Sequence, residues 1–163
     1  MTRRGRGRGQ ALVEFALVAP FFFVLLFSLI EFGRAVYYIQ TLNHAAREGA
    51  RYAIVHGAEV AGCPSGPMPL GYGNNPCDPV GLRVVAAVKD AAVGIVDPGS
   101  TDFLVTVRWC DTPACPGTLG DGTNERSQTV KVDVTYTYRA VIGGIVPLPT
   151  FTLAGGSSLV VNH

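Results

Sequence analysis

The chain has 163 residues, 48% hydrophobic and 15% charged, with 13 Lys+Arg against 12 Asp+Glu. That length suffices for one membrane helix and one small domain of about 100 residues. Four of the basic residues lie before Gly9, so beyond it nine basic groups face twelve acidic ones; a nucleic-acid partner, which needs its positive charge on the folded part, is excluded.

Arg3, Arg4, Arg6 and Arg8 make a basic leader over residues 1–9, ended by Gly9. From Gln10 the chain turns apolar, with one carboxylate, Glu14, inside the apolar start. Cut after Gly9, the chain has Glu14 as its fifth residue. A basic leader, a terminal glycine and a glutamate at the fifth position describe a prepilin-type signal. The run Gly5-Arg-Gly-Arg-Gly has the look of a nucleotide loop, but no strand precedes it.

The apolar segment runs over residues 11–30. Twenty helical residues at ~1.5 Å each span about 30 Å, the hydrocarbon thickness of a bilayer. Basic charge on its N-terminal flank predicts a cytoplasmic N-terminus and an extracytoplasmic C-terminal domain in the cell membrane. A secretory signal peptide is the rival reading; Glu14 and the lack of a small-x-small site after the apolar run weigh against it. A carboxylate at the centre of a membrane helix costs about 2.5–3.5 kcal/mol, less near an end. Two roles fit Glu14: a side chain reaching the interfacial water, or a partner for the α-amino group of Gln10 freed by cleavage.

The helix continues past Glu31, taking residues 10–56 in outline, with Pro20 as a tolerated kink point. In its outer half Ala46, Gly49, Ala50 and Ala53 form a small-residue stripe that admits another backbone closely. The stripe packs either on the chain's own domain or on neighbouring helices in an assembly. Tyr38, Ile39 and Leu42 offer a bulkier apolar face.

Residues 57–79, rich in Gly and Pro, read as a loop. Asp78 as N-cap and Pro79 at the first helical position start a second helix that runs to about Ala92. Val85, Val88 and Ala92 are its expected apolar face; Arg83, Ala87 and Asp90 its polar one. Gly94 and Asp97-Pro98-Gly99 end it. Phe103, Val105, Val107 and Trp109 alternate with Leu104, Thr106 and Arg108, and Val130, Val132, Val134, Tyr136 and Tyr138 with polar neighbours. That period of two predicts two half-buried strands, and residues 150–161 a looser third.

The expected fold is therefore α+β: a long N-terminal helix, one half membrane-spanning and one half outer, then an extracytoplasmic domain over 57–163. That domain holds one helix and a three-stranded antiparallel sheet.

Cys63, Cys77, Cys110 and Cys115 all follow the membrane segment, where disulfides persist. Four cysteines allow three pairings; Cys63–Cys77 and Cys110–Cys115 close local loops with the least rearrangement. The Cys63–Cys77 gap does not match a zinc knuckle, and only His56 lies nearby, so no metal or other cofactor is expected. His44, His56 and His163 are scattered, and no nucleophile motif or phosphate loop appears. Nothing points to an enzyme or a small-molecule substrate.

Three segments carry a family resemblance: Arg8-Gly-Gln-Ala-Leu-Val-Glu-Phe-Ala-Leu-Val, Ile30-Glu-Phe-Gly-Arg-Ala, and Ala45-Ala-Arg-Glu-Gly-Ala-Arg-Tyr-Ala53. Together they resemble the TadE-like proteins of tight-adherence pilus systems, over about the first 55 residues. Beyond that point the agreement is one of outline, with Phe151-Thr-Leu-Ala-Gly similar to the family's last strand. TadG-like relatives share the N-terminal pattern but carry a larger domain.

The resemblance implies processing by a prepilin peptidase between Gly9 and Gln10. It also implies assembly through Glu14 and Phe15 with other pilin-like subunits and the pilus secretion platform, on membrane lipid. Flp-type pilins place Glu-Tyr where this chain has Glu14-Phe15. The function so implied is that of a minor subunit or assembly protein of the pilus. A signal-anchored binding or adhesin domain that never enters a filament is the other reading, and a membrane-tethered enzyme a third.

Overall fold

The computed structural model describes residues 6–73, 75, 77–93, 100–112, 115, 120–144 and 149–162. Helix α1 (Arg6–Val55) is followed by α2 (Leu82–Ala91) and strands β1 (Phe103–Cys110), β2 (Thr129–Tyr138) and β3 (Phe151–Val160). A 3₁₀ turn at Val141–Gly144 follows β2. The strands form one antiparallel sheet in the order β1-β2-β3. The α+β architecture is the expected one.

Alternation dictates which sheet face is covered. Val130, Val132 and Val134 of β2 are fully buried, with Val107 and Trp109 of β1 on the same side. They meet Leu42, Ala46, Ala50 and Ala53 of α1 and Val84 and Val88 of α2. Burying each Val or Leu side chain contributes about 1.5–3 kcal/mol, so this one layer holds the domain together. The opposite face carries Thr106, Arg108, Lys131 and Asp133, with Arg108 and Asp133 ion-paired.

Two boundaries differ from expectation. Helix α1 begins at Arg6, not Gln10, so the Gly9–Gln10 bond lies inside helix. Helix α2 begins at Leu82, three residues after Pro79, because Gly81 takes a left-handed conformation with φ 75°. Asp78 still caps it from outside: its Oδ1 accepts the Leu82 N–H at 2.5 Å and its Oδ2 the Arg83 N–H at 3.1 Å. With that later start, the buried face is Val84, Val88 and Ala92, and Val85 is only half-buried. The expected stop at Gly94 and Asp97-Pro98-Gly99 lies outside the described residues.

The loop after α1 is held by specific side chains. Asn75 donates from Nδ2 to the Pro64 and Gly66 carbonyls and accepts from the Cys77 and Asp78 N–H groups. Asn124 is fully buried and donates to the Ser65 carbonyl at 3.0 Å. Cys63 is bonded to Cys77, and Cys110 to Cys115. Gly66 and Gly81, both at positive φ, lie against the Trp109 ring so closely that a Cβ at either would strike it.

Candidate anchoring and assembly surfaces

The first half of α1 stands clear of the domain. The helix contains a window of mean hydropathy 2.4, none of it buried. Phe15, Leu17, Phe21 and Leu25 are each about two-thirds exposed or more. The ring centroids of Phe22 and Phe23 are 5.8 Å apart, and those of Phe23 and Phe27 6.3 Å. A water-soluble domain rarely leaves so large an apolar surface uncovered. A single-pass membrane anchor accounts for it.

At the head of this segment Gln10 and Glu14 are exposed, and no atom lies within 4 Å of where a Cβ on Gly9 would stand. Gly9, Gln10, Glu14 and Phe15 thus share one open stretch of helix. The domain covers none of them. Arg3 and Arg4 lie outside the described residues.

The small-residue stripe is in a different situation. Ala46, Ala50 and Ala53 are fully buried. A Cβ on Gly49 would collide with Val88 Cγ2 and touch Val84 and Val132 at 3.6 Å. Of the two readings of the stripe, the one realised within the chain is packing on its own domain: the missing side chain at Gly49 lets α2 and β2 approach α1 together. Gly155 does the same for β3, which meets the α1 backbone at Leu42 and Asn43; Asn43 Oδ1 accepts the Gly156 N–H at 3.2 Å.

Sequence reading did not find the centre of the anchor–domain junction. Glu31, one residue past the apolar run, accepts a hydrogen bond from the Tyr138 hydroxyl and another from the Val141 N–H at 2.5 Å. Arg34 lies 3.5 Å from the same carboxylate. Its guanidinium sits 5.9 Å from the Tyr38 ring centroid and 5.7 Å from that of Tyr138. Tyr38 stacks on Tyr136 at 5.5 Å and meets Tyr138 edge-on at 5.4 Å. Burial, helped by the bond to Glu31, pushes the Tyr138 hydroxyl up to about 12. The helical spacing of Glu31, Arg34 and Tyr38 (i, i+3, i+7) was the available signal, since it puts all three on one face.

The remaining features gather no chemistry. Among the described residues no group of three or more His, Cys, Asp and Glu is placed to hold a metal. His44 is exposed, His56 stacks on Tyr52 at 4.0 Å, and His163 lies outside the described residues. An open hollow of about 510 Å³ lies beside Tyr52 and His56, and another of about 370 Å³ beside Cys110 and Lys131.

A family model described as TadE-like protein matches residues 9–51. The matched segment takes in Gly9, Glu14, the exposed apolar half of α1, Glu31 and most of the buried stripe. The family is associated with tight-adherence pilus systems, and the match together with the bare apolar helix fits a membrane-anchored, pilus-related protein. No curated protein and no solved structure matches the chain.

Proposed function

We propose that this TadE-like chain is a pilin-like minor subunit or assembly protein of a tight-adherence pilus, held in the cell membrane by α1 with its domain outside the cytoplasm. The observation that carries the reading is the family match over residues 9–51, which spans the Gly9–Glu14 signal and the bare apolar helix. The role is one of assembly and calls on no catalytic residue.

In this reading a prepilin peptidase cuts between Gly9 and Gln10. The first turns of α1 must unwind to present that bond. Gly7 and Gly9 within the helix make this easy, since each glycine weakens a helix by about 1 kcal/mol relative to alanine. The freed Gln10 amine then meets Glu14 of a neighbouring subunit, which removes two uncompensated charges from an apolar helix bundle. Because the domain occupies Ala46, Gly49, Ala50 and Ala53, contacts with other pilin-like subunits and the secretion platform fall to the exposed half of α1 and the outer domain surface.

Mass spectrometry of the mature N-terminus from membranes with an active prepilin peptidase tests the processing step; a chain beginning at Gln10 is expected, and one retaining Met1 to Gly9 overturns cleavage. A reporter fused after His163 should be active only outside the cytoplasm. Deleting the chain should reduce surface piliation; unchanged piliation would favour a signal-anchored binding domain instead.

A further inference from the structure

The Glu31 junction fixes the depth of one end of the sheet. We propose that the end formed by the close of β2, the 3₁₀ turn and the start of β3 is itself a membrane-contact surface, with Val141 and Phe151 lodged in the phospholipid headgroup zone. The proposal rests on the reading of α1 as a membrane anchor.

Depth comes first. The apolar run ends at Ile30, so Glu31 is the first residue past the hydrocarbon. Val141 donates its N–H to Glu31 at 2.5 Å, and Tyr138 donates its hydroxyl to the same carboxylate. Both therefore lie at headgroup level. The headgroup layer adds about 5–8 Å on each side of the hydrocarbon, and helix residues 31–35 rise through it at ~1.5 Å each.

Chemistry agrees with that depth. Val141 is 70% exposed and Phe151 49%, and Phe32, the residue after Glu31 on α1, is 69% exposed. Exposed aromatic and aliphatic side chains at this level suit the interfacial zone, where aromatic side chains form belts. The nearby charges are already paired: Arg34 with Glu31, and Arg139 with Asp102 at 3.2 Å. The face thus carries apolar side chains and balanced charge, and its seat on lipid needs no anionic headgroup. The far end of the sheet supplies an internal reference. Trp109 pairs with Val130, eight residues along β2 from Tyr138, which is about 27 Å at ~3.4 Å per residue.

The test uses the full chain reconstituted in phosphatidylcholine vesicles, as wild type, V141W and F151W. Both sites are exposed, so neither change disturbs the core. Lipids brominated close to the headgroup should remove most of the emission added at position 141 or 151 and leave that of Trp109 unchanged. Flotation with the vesicles, but no quenching of either added tryptophan, overturns the contact surface and leaves the anchor standing. Failure to float with the vesicles overturns both.

Discussion

Tyr138 donates its hydroxyl hydrogen bond to Glu31 across 107 residues of sequence, joining the last residue of β2 to the first polar position beyond the apolar run. The same carboxylate takes the Val141 N–H. That carboxylate thereby ties the end of β2 to the end of the anchor.

The bond has a signature in pH. The Tyr138 hydroxyl, raised to about 12 in the fold mainly by burial and then by Glu31, would ionise near 10 in the unfolded chain. A folded value above the unfolded one means that this contribution is complete below pH 10 and is lost as pH rises from about 10 through about 12. Tyrosinate absorbance in detergent should show late-titrating tyrosine, and Tyr138→Phe should remove part of it, the rest belonging to Tyr136, which burial also raises. Glu31→Leu should bring that late step to lower pH but not to 10, because burial remains.

Gly49 and Gly33 lie on the same helix in opposite situations. Gly49→Leu drives a side chain into Val88, Val84 and Val132, whereas no atom lies within 4 Å of a Cβ on Gly33. Overpacking of a filled core costs about 1–3 kcal/mol. Chemical denaturation of the detergent-solubilised chain should show that loss for Gly49→Leu and no loss for Gly33→Leu. Equal midpoints for the two variants would contradict the packing of α2 on α1.

Asp78 is buried, takes the Leu82 and Arg83 N–H groups and accepts from Ser65 Oγ at 2.7 Å. Asp78→Ala removes the cap and leaves those donors without it. A lost cap costs about 0.5–2 kcal/mol. Asp78→Asn keeps an acceptor oxygen and should recover part of the loss in the same denaturation measurement.

The two disulfides should contribute unequally. Cys63–Cys77 spans 14 positions and Cys110–Cys115 spans 5. In the chain-entropy model the larger loop is worth roughly 3 kcal/mol and the smaller about 2. Paired Cys→Ser replacement of the first should therefore lower the midpoint more than replacement of the second.

Gly9→Val and Glu14→Leu should separate processing from assembly. The first puts a branched side chain where the proposed peptidase site takes glycine, so the leader should remain attached. The second makes the span more apolar, so insertion and cleavage should persist while piliation falls. Intact pili in Glu14→Leu cells would reduce Glu14 to an interfacial residue.

Features that depend on neighbours in the chain were legible in the sequence. The anchor followed from an apolar run of bilayer length with Glu14 as its one carboxylate, the strands from alternation in Val130 to Tyr138, and both cysteine pairs from loop closure. Each is a local or periodic property, and burial simply enforced it. The start of α2 and its buried face were misjudged by a few residues, because the turn at Gly81 answers to Trp109 packed against it and not to Asp78-Pro79 alone. The use of the Ala46–Ala53 stripe stayed open for a related reason: small residues permit close approach without naming what approaches. Only the tertiary structure put Val84, Val88 and Val132 there. Glu31 shows the same division. Its place just past the apolar run was plain from the sequence, but a carboxylate there serves equally as a solvated flank or as an acceptor. Its partners, Tyr138 and Val141, reach it only after α1 has packed across β2 and β3, so long-range folding alone could assign it to the junction.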